Sequence, residues 1–231
     1  MHEYVARLRQ DDRGPGWPVP KLVEQFQSRR LTWWPQLGIG YYPVEAGIEP
    51  YDQDYFDRFA RDADSFLGQA LMAARVDFVA QHYQGSLIDV GIGSGAFIEA
   101  RRHSRPMRPT FGYDVNPAGI AWLQQRRLFA DPYAAPFEAA SMWDVLEHIP
   151  DYPRLLANVR EWLFLSVPIF TDAAHVLRSK HFRTEEHCWY FTPEGLAIAM
   201  KQCGFALVSE STVETELGRE DIGTFAFRRE A

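Results

Sequence analysis

The stretch LIDVGIGSGAF, which runs from Leu87 to Phe97, is an apolar run that breaks into a glycine-rich turn. The apolar run predicts a buried β-strand. Gly91, Gly93 and Gly95 predict a tight turn in which the backbone can approach a ligand without a Cβ in the way. The helix expected to begin near Ala96 would direct its free N–H groups at the same turn. The stretch is therefore typical of a strand–turn–helix unit that holds a ligand.

A second short apolar run, FGYDVN at 111–116, contains a carboxylate at the expected end of its strand, Asp114. Asp114 follows Gly95 by about 20 residues, the spacing found when two parallel strands flank one helix. A carboxylate at that position can accept hydrogen bonds from two ribose hydroxyls. The two runs together predict a βαβ unit that binds a nucleoside-containing cofactor.

The glycines alone leave the cofactor class open, because Gly91, Gly93 and Ala96 also match the G-x-G-x-x-A pattern of dinucleotide sites. Asp89, two residues before the first glycine, favours S-adenosylmethionine (SAM) over a dinucleotide. Its carboxylate can reach the ammonium group of SAM through the turn or a water molecule, whereas it would repel a pyrophosphate. In the alternative interpretation, Asp89 only caps the glycine turn.

Composition bounds the class of protein. The 231 residues suit one domain with additions, and 46% hydrophobic and 24% charged residues are ordinary for a globular chain. A net charge of −7 gives no direct evidence for a nucleic-acid partner. Cys188 and Cys203 form no C-x-x-C pair, which suits a reducing compartment. The N-terminus lacks a signal-peptide core and the longest apolar run, 162–170, is too short to cross a bilayer, so we expect a cytoplasmic protein outside the membrane.

The composition of the chain changes near residue 50. Residues 1–50 are rich in Pro, Gly, Trp and Tyr, and we expect an aromatic, proline-rich N-terminal extension with one short helix over 22–30. Such an extension is expected to pack on the main domain, residues 51–231, or on a second subunit, which would make a homodimer. A packed extension with no role in the chemistry is the alternative.

From residue 51 onward, helical and strand patterns alternate. The region 51–81 has helical spacing of apolar residues. Strands are predicted at roughly 86–91, 109–114, 137–144, 163–170, 205–210 and 223–229, with helices at roughly 95–104, 117–129, 151–162 and 192–204. This order predicts an α/β fold with a mostly parallel sheet, in which ligands bind at the carboxyl ends of the strands.

Four motifs of the chain resemble those of class I SAM-dependent methyltransferases. They are LIDVGIGSG at 87–95, GYDVN at 112–116, WDVLEHIPD at 143–151 and FTPEGLAIAMKQCGF at 191–205. The third resembles the fourth-strand motif of the small-molecule branch of that family. The resemblance covers roughly residues 51–229 and identifies 51–231 as a SAM-dependent methyltransferase domain. It implies a Rossmann-like, seven-stranded, mostly parallel sheet with helices on both faces and an antiparallel last strand.

The resemblance also implies roles for individual residues. Asp89, Gly91, Gly93 and Gly95 would surround the methionine part of SAM. Asp114 would bind the ribose hydroxyls.

Two further parts of the cofactor site follow from the same resemblance. Trp143 and Asp144, at the end of the fourth strand, would line the floor of the site near the sulfonium. The family's third strand ends in an acidic residue beside the adenine, but the corresponding segment is short here. Asp131 is the best candidate for that adenine contact, and a surface Asp-Pro turn is the alternative.

Methyl transfer to a hydroxyl or an ammonium group can need a general base. The candidates are His148, His181 and His187, although the family's histidine at the first position is more often structural. The other two lie in the polar loop 179–192, where this fold inserts segments that face the substrate. His181, Glu186 and His187 could also be interpreted as metal ligands, but they lack a regular ligand spacing, and no metal is predicted.

The predicted function is methyl transfer from SAM to an O or N atom of a small or mid-sized acceptor, either a small molecule or a modified biomolecule. A non-catalytic binding or assembly protein that keeps the fold is one alternative. An NAD-type oxidoreductase is less favoured, because the chain has no Tyr-x-x-x-Lys pair to donate a proton.

Overall fold

The structure is a computed structural model that describes residues 21–24, 30–44, 51–104 and 108–230. Its strands are β1 (Lys21–Glu24), β2 (Arg30–Trp34), β3 (Ile39–Tyr41), β4 (Leu87–Val90), β5 (Thr110–Tyr113), β6 (Phe137–Trp143), β7 (Val159–Pro168), β8 (Trp189–Phe191), β9 (Phe205–Ser211) and β10 (Ile222–Arg229). Its helices are α1 (Gln53–Asp64), α2 (Phe66–His82), α3 (Ala96–Ser104), α4 (Pro117–Arg126), α5 (Tyr152–Leu156), α6 (Ala173–Arg178), α7 (Pro193–Gln202) and α8 (Val213–Glu216). A 3₁₀ turn, Leu146–His148, follows β6.

The main sheet has the strand order β5-β4-β6-β7-β10-β9. Strands β5, β4, β6 and β7 run parallel, and β10 lies antiparallel between β7 and β9. This confirms the predicted α/β fold, with its mostly parallel sheet and its antiparallel last strand. Strand order reverses between β4 and β6, so the carboxyl ends of β4, β5 and β6 form the crevice where ligands bind in such sheets.

Both faces of the main sheet are covered. Along β7, Leu163 and Leu165 belong to the hydrophobic core beneath α7, whereas Trp162 and Phe164 belong to the core beneath α2 and α3. Successive side chains of a strand point to opposite faces, so this alternation requires helices on both sides. The long apolar strands are therefore explained by burial in two cores rather than one.

Among the described residues the main sheet has six strands where seven were predicted, because the third strand of the family pattern is reduced to one bridge. Phe129 forms an isolated parallel bridge with Gly112, flanked by hydrogen bonds from the Gly112 N–H to Leu128 O (2.9 Å) and from the Ala130 N–H to Gly112 O (3.0 Å). Proline follows in the segment DPYAAP at 131–136, and a residue without an N–H cannot continue a ladder. The segment that corresponds to the family's third strand therefore pairs with β5 only at Phe129.

The helix predicted over 151–162 is wrong in its second half. Helix α5 ends at Leu156, and strand β7 begins at Val159. The Phe137 N–H donates to Asn158 O (2.9 Å), which starts the pairing of β6 with β7. Aromatic and β-branched residues in VREWLFLSV favour this strand over a helix.

The helix predicted over 22–30 is also wrong in the residues that the structure describes. Strands β1 and β2 pair antiparallel, with Lys21 opposite Trp33 and Glu24 opposite Arg30. They continue through β3 to β8, so the extension forms a small sheet of order β1-β2-β3-β8 with a strand from the main domain. Residues 1–20, 25–29 and 45–50 of the expected extension lie outside the described residues.

The described part of the extension packs on the main domain. Leu31 and Trp33 are buried in a cluster with Phe170 and Tyr190, while Trp34 is part of the core beneath α7. Buried aromatic side chains of this size contribute on the order of 2 kcal/mol each. The extension is therefore held by burial as well as by strand pairing.

The helical region predicted over 51–81 is two helices, α1 and α2, separated at Ser65. The Ser65 hydroxyl accepts a hydrogen bond from the Gly68 N–H (3.0 Å) and so caps the start of α2. The Asn116 side-chain amide donates to Asp52 O (3.0 Å), which ties the beginning of α1 to the end of β5. The two helices lie over the carboxyl ends of the parallel strands. Within the described ranges, none of the helices has both the length and the apolar character needed to cross a membrane.

Candidate active site

A cavity of about 1060 Å³ opens at the carboxyl ends of β4, β5 and β6. Helices α1 and α2 form its roof, and the loop at 180–187 forms one side. Binding sites for small ligands are usually concave regions of this size at the switch point of an open α/β sheet. The cavity is therefore the candidate active site.

The glycine turn forms one wall of the cavity. Gly91 has φ +72° and its N–H donates to Tyr113 O (2.7 Å), and a Cβ there would lie 2.4 Å from Val145 Cγ2. Gly93 also lines the cavity with a positive φ of +55°. Gly95 does not line it: this residue precedes α3, where a Cβ would meet the Trp122 ring. Two of the three predicted glycines thus face the cavity, and the third lets the helix start close beside it.

Asp89 lies in the same wall and is only 1% exposed. The Ser141 hydroxyl donates to its Oδ1 (2.6 Å). Burial raises the pKa of Asp89 to about 7, and the Ser141 hydrogen bond offsets only part of that effect. A cationic group in the cavity would supply the counter-charge that this carboxylate lacks.

Asp114 stands at the end of β5, beside the glycine turn. Its Oδ1 accepts a hydrogen bond from the Asn116 N–H (2.8 Å), and the residue lines the cavity. Burial raises the pKa of Asp114, while backbone N–H groups of Asn116, Val115 and Ile92 oppose the shift. The structure thus brings Asp89 and Asp114 to one wall, as the parallel pairing of β4 with β5 requires.

Asp131 does not reach the cavity. It is exposed, and its Oδ1 accepts a hydrogen bond from the Tyr133 N–H (2.8 Å), as expected of an Asp-Pro turn. Tyr133 and Tyr113 line the cavity at this end instead, with their rings 6.0 Å apart and nearly perpendicular. Tyr113 stands next to Asp114 in the motif GYDVN but was given no role of its own, and Tyr133 belongs to no motif, so the sequence did not point to either ring.

Trp143 and Asp144 lie at the end of β6, but they contact protein groups. The Trp143 ring packs edge-on against Phe97 (5.1 Å between centroids) and carries the Arg75 guanidinium on its face (4.9 Å). Asp144 has a left-handed backbone (φ +57°), and its Oδ2 pairs with Arg75 Nη2 (3.1 Å) and Arg219 Nη1 (2.9 Å). Burial opposes ionisation of Asp144, but the two guanidinium groups outweigh it and hold its pKa below the ordinary value.

Glu214 completes this buried ion network. Its two carboxylate oxygens accept from Arg75 Nε (2.7 Å) and Nη2 (2.9 Å), and it also contacts Arg219. Glu214 is fully buried, and the Arg75 side chain is 7% exposed. Arg75, Glu214 and Arg219 were missed in the sequence, because none lies in a motif and Arg75 is far along the chain from the other two.

Two of the three histidine candidates come together on the far side of the cavity. The rings of His148 and His187 are 4.5 Å apart at their centroids, and the Tyr51 hydroxyl lies 3.5 Å from His148 Nδ1. Burial lowers the pKa of His148 to about 4 and that of His187 to about 2, so both imidazoles are neutral at physiological pH. His181 lies apart from this pair; its Nε2 is 2.9 Å from Glu220 O.

The loop at 180–187 carries charges that are already paired. Arg183 Nη1 lies 2.7 Å from Glu186 Oε2, and Lys180 Nζ lies 3.1 Å from Glu220 Oε2. Exposed pairs of this kind stabilise a protein by less than about 1 kcal/mol, so they can open for a ligand at little cost. Of the residues interpreted in the sequence as metal ligands, Glu186 is therefore engaged with an arginine.

A family model described as a methyltransferase domain matches residues 59–210. Several solved structures share the fold. Magnesium protoporphyrin IX methyltransferase from Synechocystis PCC 6803 superposes with a TM-score of 0.56 at 15% identity, covering 77% of this chain and 95% of that one. The glycopeptide N-methyltransferase MtfA in complex with SAM gives 0.51 at 10% identity over 69% and 87% of the two chains.

The fold also occurs in a protein whose name describes a different reaction. The [4+2]-cyclase SpnF gives a TM-score of 0.51 at 16% identity, covering 74% of this chain and 84% of that chain. The comparison with curated sequences found no match. At these identities the solved structures show a common fold, and the assignment to a family depends on the family model.

Proposed function

Because this chain belongs to the family of methyltransferase domains, we propose that it transfers a methyl group from SAM to an O or N atom of a small or mid-sized acceptor. One observation carries the proposal: Asp89, a buried carboxylate, faces the cavity beside the glycine turn, with Asp114 at the end of the next strand. This arrangement supplies one acceptor for an ammonium group and one for ribose hydroxyls.

The residues around the glycine turn fit such a cofactor. We name Asp89, Gly91, Gly93 and Asp114 the cofactor wall. In this assignment Asp89 holds the ammonium group and Asp114 the ribose. The glycines keep side chains out of the space for the methionine part. Beyond Asp114, the rings of Tyr113 and Tyr133 offer faces and edges on which an adenine can pack.

The opposite side of the cavity would hold the acceptor. We name Arg75, Glu147, His148, His187 and Arg219 the acceptor wall; all five line the cavity. The cofactor supplies an activated methyl group, and the protein has to align the acceptor atom with it and exclude water. A neutral imidazole of His148 or His187 can accept the proton that a hydroxyl or ammonium acceptor loses.

Two other functions are less well supported. An NAD-type oxidoreductase would place a pyrophosphate near Asp89, where a second negative charge is unfavourable. A role without methyl transfer has one observation in its favour: the fold is shared with SpnF, which is named as a cyclase. The two carboxylates of the cofactor wall support the transferase, because a buried Asp89 beside the glycine turn can pair with the ammonium group of SAM.

Isothermal titration with S-adenosylhomocysteine tests the proposal, with NAD as the comparison ligand. We expect micromolar binding of S-adenosylhomocysteine, weakened at least about 100-fold in Asp114→Ala, since a hydrogen-bonded carboxylate is worth a few kcal/mol. Asp131→Ala is the matched control, because Asp131 lies outside the cavity, and it should bind like the unmodified protein. Binding of NAD alone, or of neither ligand, would refute the proposed cofactor.

We propose that residues 51–231 carry the methyltransferase domain and that residues 1–50 are an extension that helps to shape the acceptor side. The pairing of β3 with β8 supports this, because β8 begins two residues after His187. A cytoplasmic location and a homodimer through the extension stay predictions; light scattering of the full chain measures the second.

A further inference from the structure

Glu147, His148 and His187 form a cluster. The methyl-transfer assignment uses at most one of the two imidazoles as a base and gives Glu147 no role, so it does not explain why the three side chains lie together. One ring nitrogen of each histidine and one carboxylate oxygen of Glu147 lie within 4.8 Å of one another, and all three residues line the cavity. Glu147 is 1% exposed and His187 is 4% exposed. Two imidazoles and a carboxylate thus lie together, and solvent barely reaches Glu147 and His187.

Three polar atoms of this cluster lack partners. Neither carboxylate oxygen of Glu147, nor Nδ1 of His187, has a hydrogen-bond partner among the described residues. Leaving a buried polar group without a partner costs about 1–3 kcal/mol, and more for a charged group. Native proteins rarely keep several such atoms together unless a ligand, an ion or water satisfies them.

The backbone holds the cluster in place. The Cys188 N–H donates to Glu147 O (2.8 Å), and its thiol contacts the same oxygen (3.1 Å). The Tyr190 hydroxyl donates to His187 O (3.1 Å). These bonds join the turn after β6 to the start of β8, so the three side chains cannot easily move apart to find other partners.

We propose that Glu147, His148 and His187 bind a divalent cation of the transition series from Mn²⁺ to Zn²⁺. Two imidazoles with one carboxylate are a ligand set for such cations, whereas Mg²⁺ prefers oxygen atoms alone. Metal–ligand bonds of about 2.1 Å place the ligand atoms of a tetrahedral site about 3.4 Å apart. The cluster reaches that spacing if its side chains draw in by about 1 Å.

The cation would face the acceptor. Three protein ligands leave coordination positions open, and the cluster lines the cavity, so an oxygen of the acceptor can complete the coordination. This role rests on the proposed function and deepens it, because it favours a hydroxyl or carboxylate acceptor over an amine. With both imidazoles bound to the cation, neither acts as the base: a hydroxyl acceptor loses its proton to water, an ionised carboxylate acceptor has none to lose, and in either case the acceptor oxygen forms the O–CH₃ bond. The S–CH₃ bond breaks with its electron pair left on sulfur.

Metal binding can be measured without any activity. Tag-free protein is treated with a chelator, dialysed and titrated with Zn²⁺ by calorimetry and with Co²⁺ by visible absorption, which reports on the ligands. We expect one cation per chain with micromolar affinity and a Co²⁺ spectrum of mixed nitrogen and oxygen ligation. Loss of a ligand in His187→Ala should weaken binding by at least about 100-fold, since even outer-shell changes cost roughly 10- to 100-fold.

Two further variants keep the test decisive. Glu147→Gln conserves the side-chain shape, removes the charged ligand, and should lose the cation even if His187→Ala fails to fold. His181→Asn is the matched control, because His181 lines the same cavity outside the cluster, and it should bind normally. The inference is overturned if the unmodified protein binds no cation, or if binding survives in both Glu147→Gln and His187→Ala.

The metal-free protein also separates this inference from the proposed function. If it binds S-adenosylhomocysteine while no cation binds to the unmodified protein, only the metal site is refuted. If a cation binds through Glu147 and His187 but S-adenosylhomocysteine does not bind, the cluster stands as a metal site and the proposed methyl transfer fails.

Discussion

The cofactor wall and the acceptor wall of one cavity are built in different ways. The cofactor wall comes from a single βαβ stretch between Asp89 and Asp114, in which two neighbouring parallel strands end. The acceptor wall collects side chains from α2, from the turn after β6, from the loop before β8 and from the segment after α8. The first wall can be recognised as a motif, whereas the second exists only in the folded chain. A family can therefore keep one cofactor while it changes its acceptor.

The largest expected effect is that of Glu214→Gln, which removes a buried partner of Arg75 and Arg219 of the acceptor wall. This change leaves Asp144 as the remaining carboxylate partner of Arg75 and Arg219 in the buried network. Breaking a buried ion pair costs about 3–5 kcal/mol of unfolding free energy. Urea unfolding measures the loss. Titration of the same variant at low temperature should show nearly unchanged binding of S-adenosylhomocysteine, because the cofactor wall is not touched.

Glu138→Gln is the control for that experiment. Glu138 pairs with Arg160 at 3.4 Å on the exposed surface, and its loss should change the unfolding free energy by less than about 1 kcal/mol. If Glu214→Gln costs no more than this control, the buried network does not hold the acceptor wall together.

Gly91→Ala should break the cofactor wall instead. A Cβ at this residue would lie 2.4 Å from Val145 Cγ2, and φ of +72° is unfavourable for alanine. We expect a loss of about 2–3 kcal/mol in unfolding free energy, from overpacking together with backbone strain, and loss of detectable cofactor binding by calorimetry.

Gly218→Ala separates strain from steric conflict. Gly218 has φ +90°, and a Cβ added to it would have no neighbouring atom within 4 Å among the described residues. At Gly218 we expect only the cost of backbone strain, a loss of about 1 kcal/mol in unfolding free energy. Equal losses at the two glycines would mean that close packing against Val145 is not what requires Gly91.

Asp89→Asn should separate stability from binding inside the cofactor wall. Burial raises the pKa of Asp89 to about 7, so the folded protein keeps this proton to a higher pH than the unfolded chain does. Stability associated with Asp89 is therefore complete below the unfolded pKa and is lost as the pH rises through about 7. Asn carries no charge. We therefore expect Asp89→Asn to be more stable than the unmodified protein by about 2 kcal/mol at about pH 8, and equally stable at about pH 4.

The same variant should bind S-adenosylhomocysteine more weakly, by about 10-fold or more, because the ammonium group loses its carboxylate. Binding to the unmodified protein should weaken as the pH falls from about 8 to about 6, and this dependence should flatten in Asp89→Asn. Chemical unfolding and calorimetry at both pH values are the measurements. A variant that is less stable at the higher pH would show that Asp89 is needed to hold the turn.

The sequence was sufficient for most of the sheet and for the position of Asp89, Gly91, Gly93 and Asp114 at one wall of the cavity, because both depend on local patterns. Alternating apolar runs determine which residues are buried in strands, and a glycine turn followed by a carboxylate one strand later is contained in a short stretch. The secondary-structure predictions were wrong where pairing with a distant segment determines the conformation. The segment 21–24 forms β1 because it pairs with β2, whose sheet continues to β8. The intrinsic propensities of residues 21–24 carry no information about that pairing partner.

The acceptor wall could be predicted only in part. His148 and His187 were candidates from the sequence, but their contact depends on the turn after β6 meeting the start of β8. Asp144 was expected near the sulfonium, and the sequence could not show that arginines from α2 and from the segment after α8 pair with it. Asp131 was a candidate because of its position in the chain, whereas the folded turn directs its carboxylate to its own backbone.

The junction between the extension and β8 has a consequence for anyone who builds chimeras of this family. The Thr192 N–H donates to Gly38 O (2.8 Å), the Tyr42 N–H donates to Cys188 O (2.9 Å), and a Cβ on Gly195 would lie 2.1 Å from Gly38 O. Residues 30–44 and 187–195 are therefore a single transplantable part, although the chain separates them widely. A graft that moves one segment without the other would break these backbone bonds and displace His187, whereas a graft of both would keep them and leave the strands β4 to β6 unchanged.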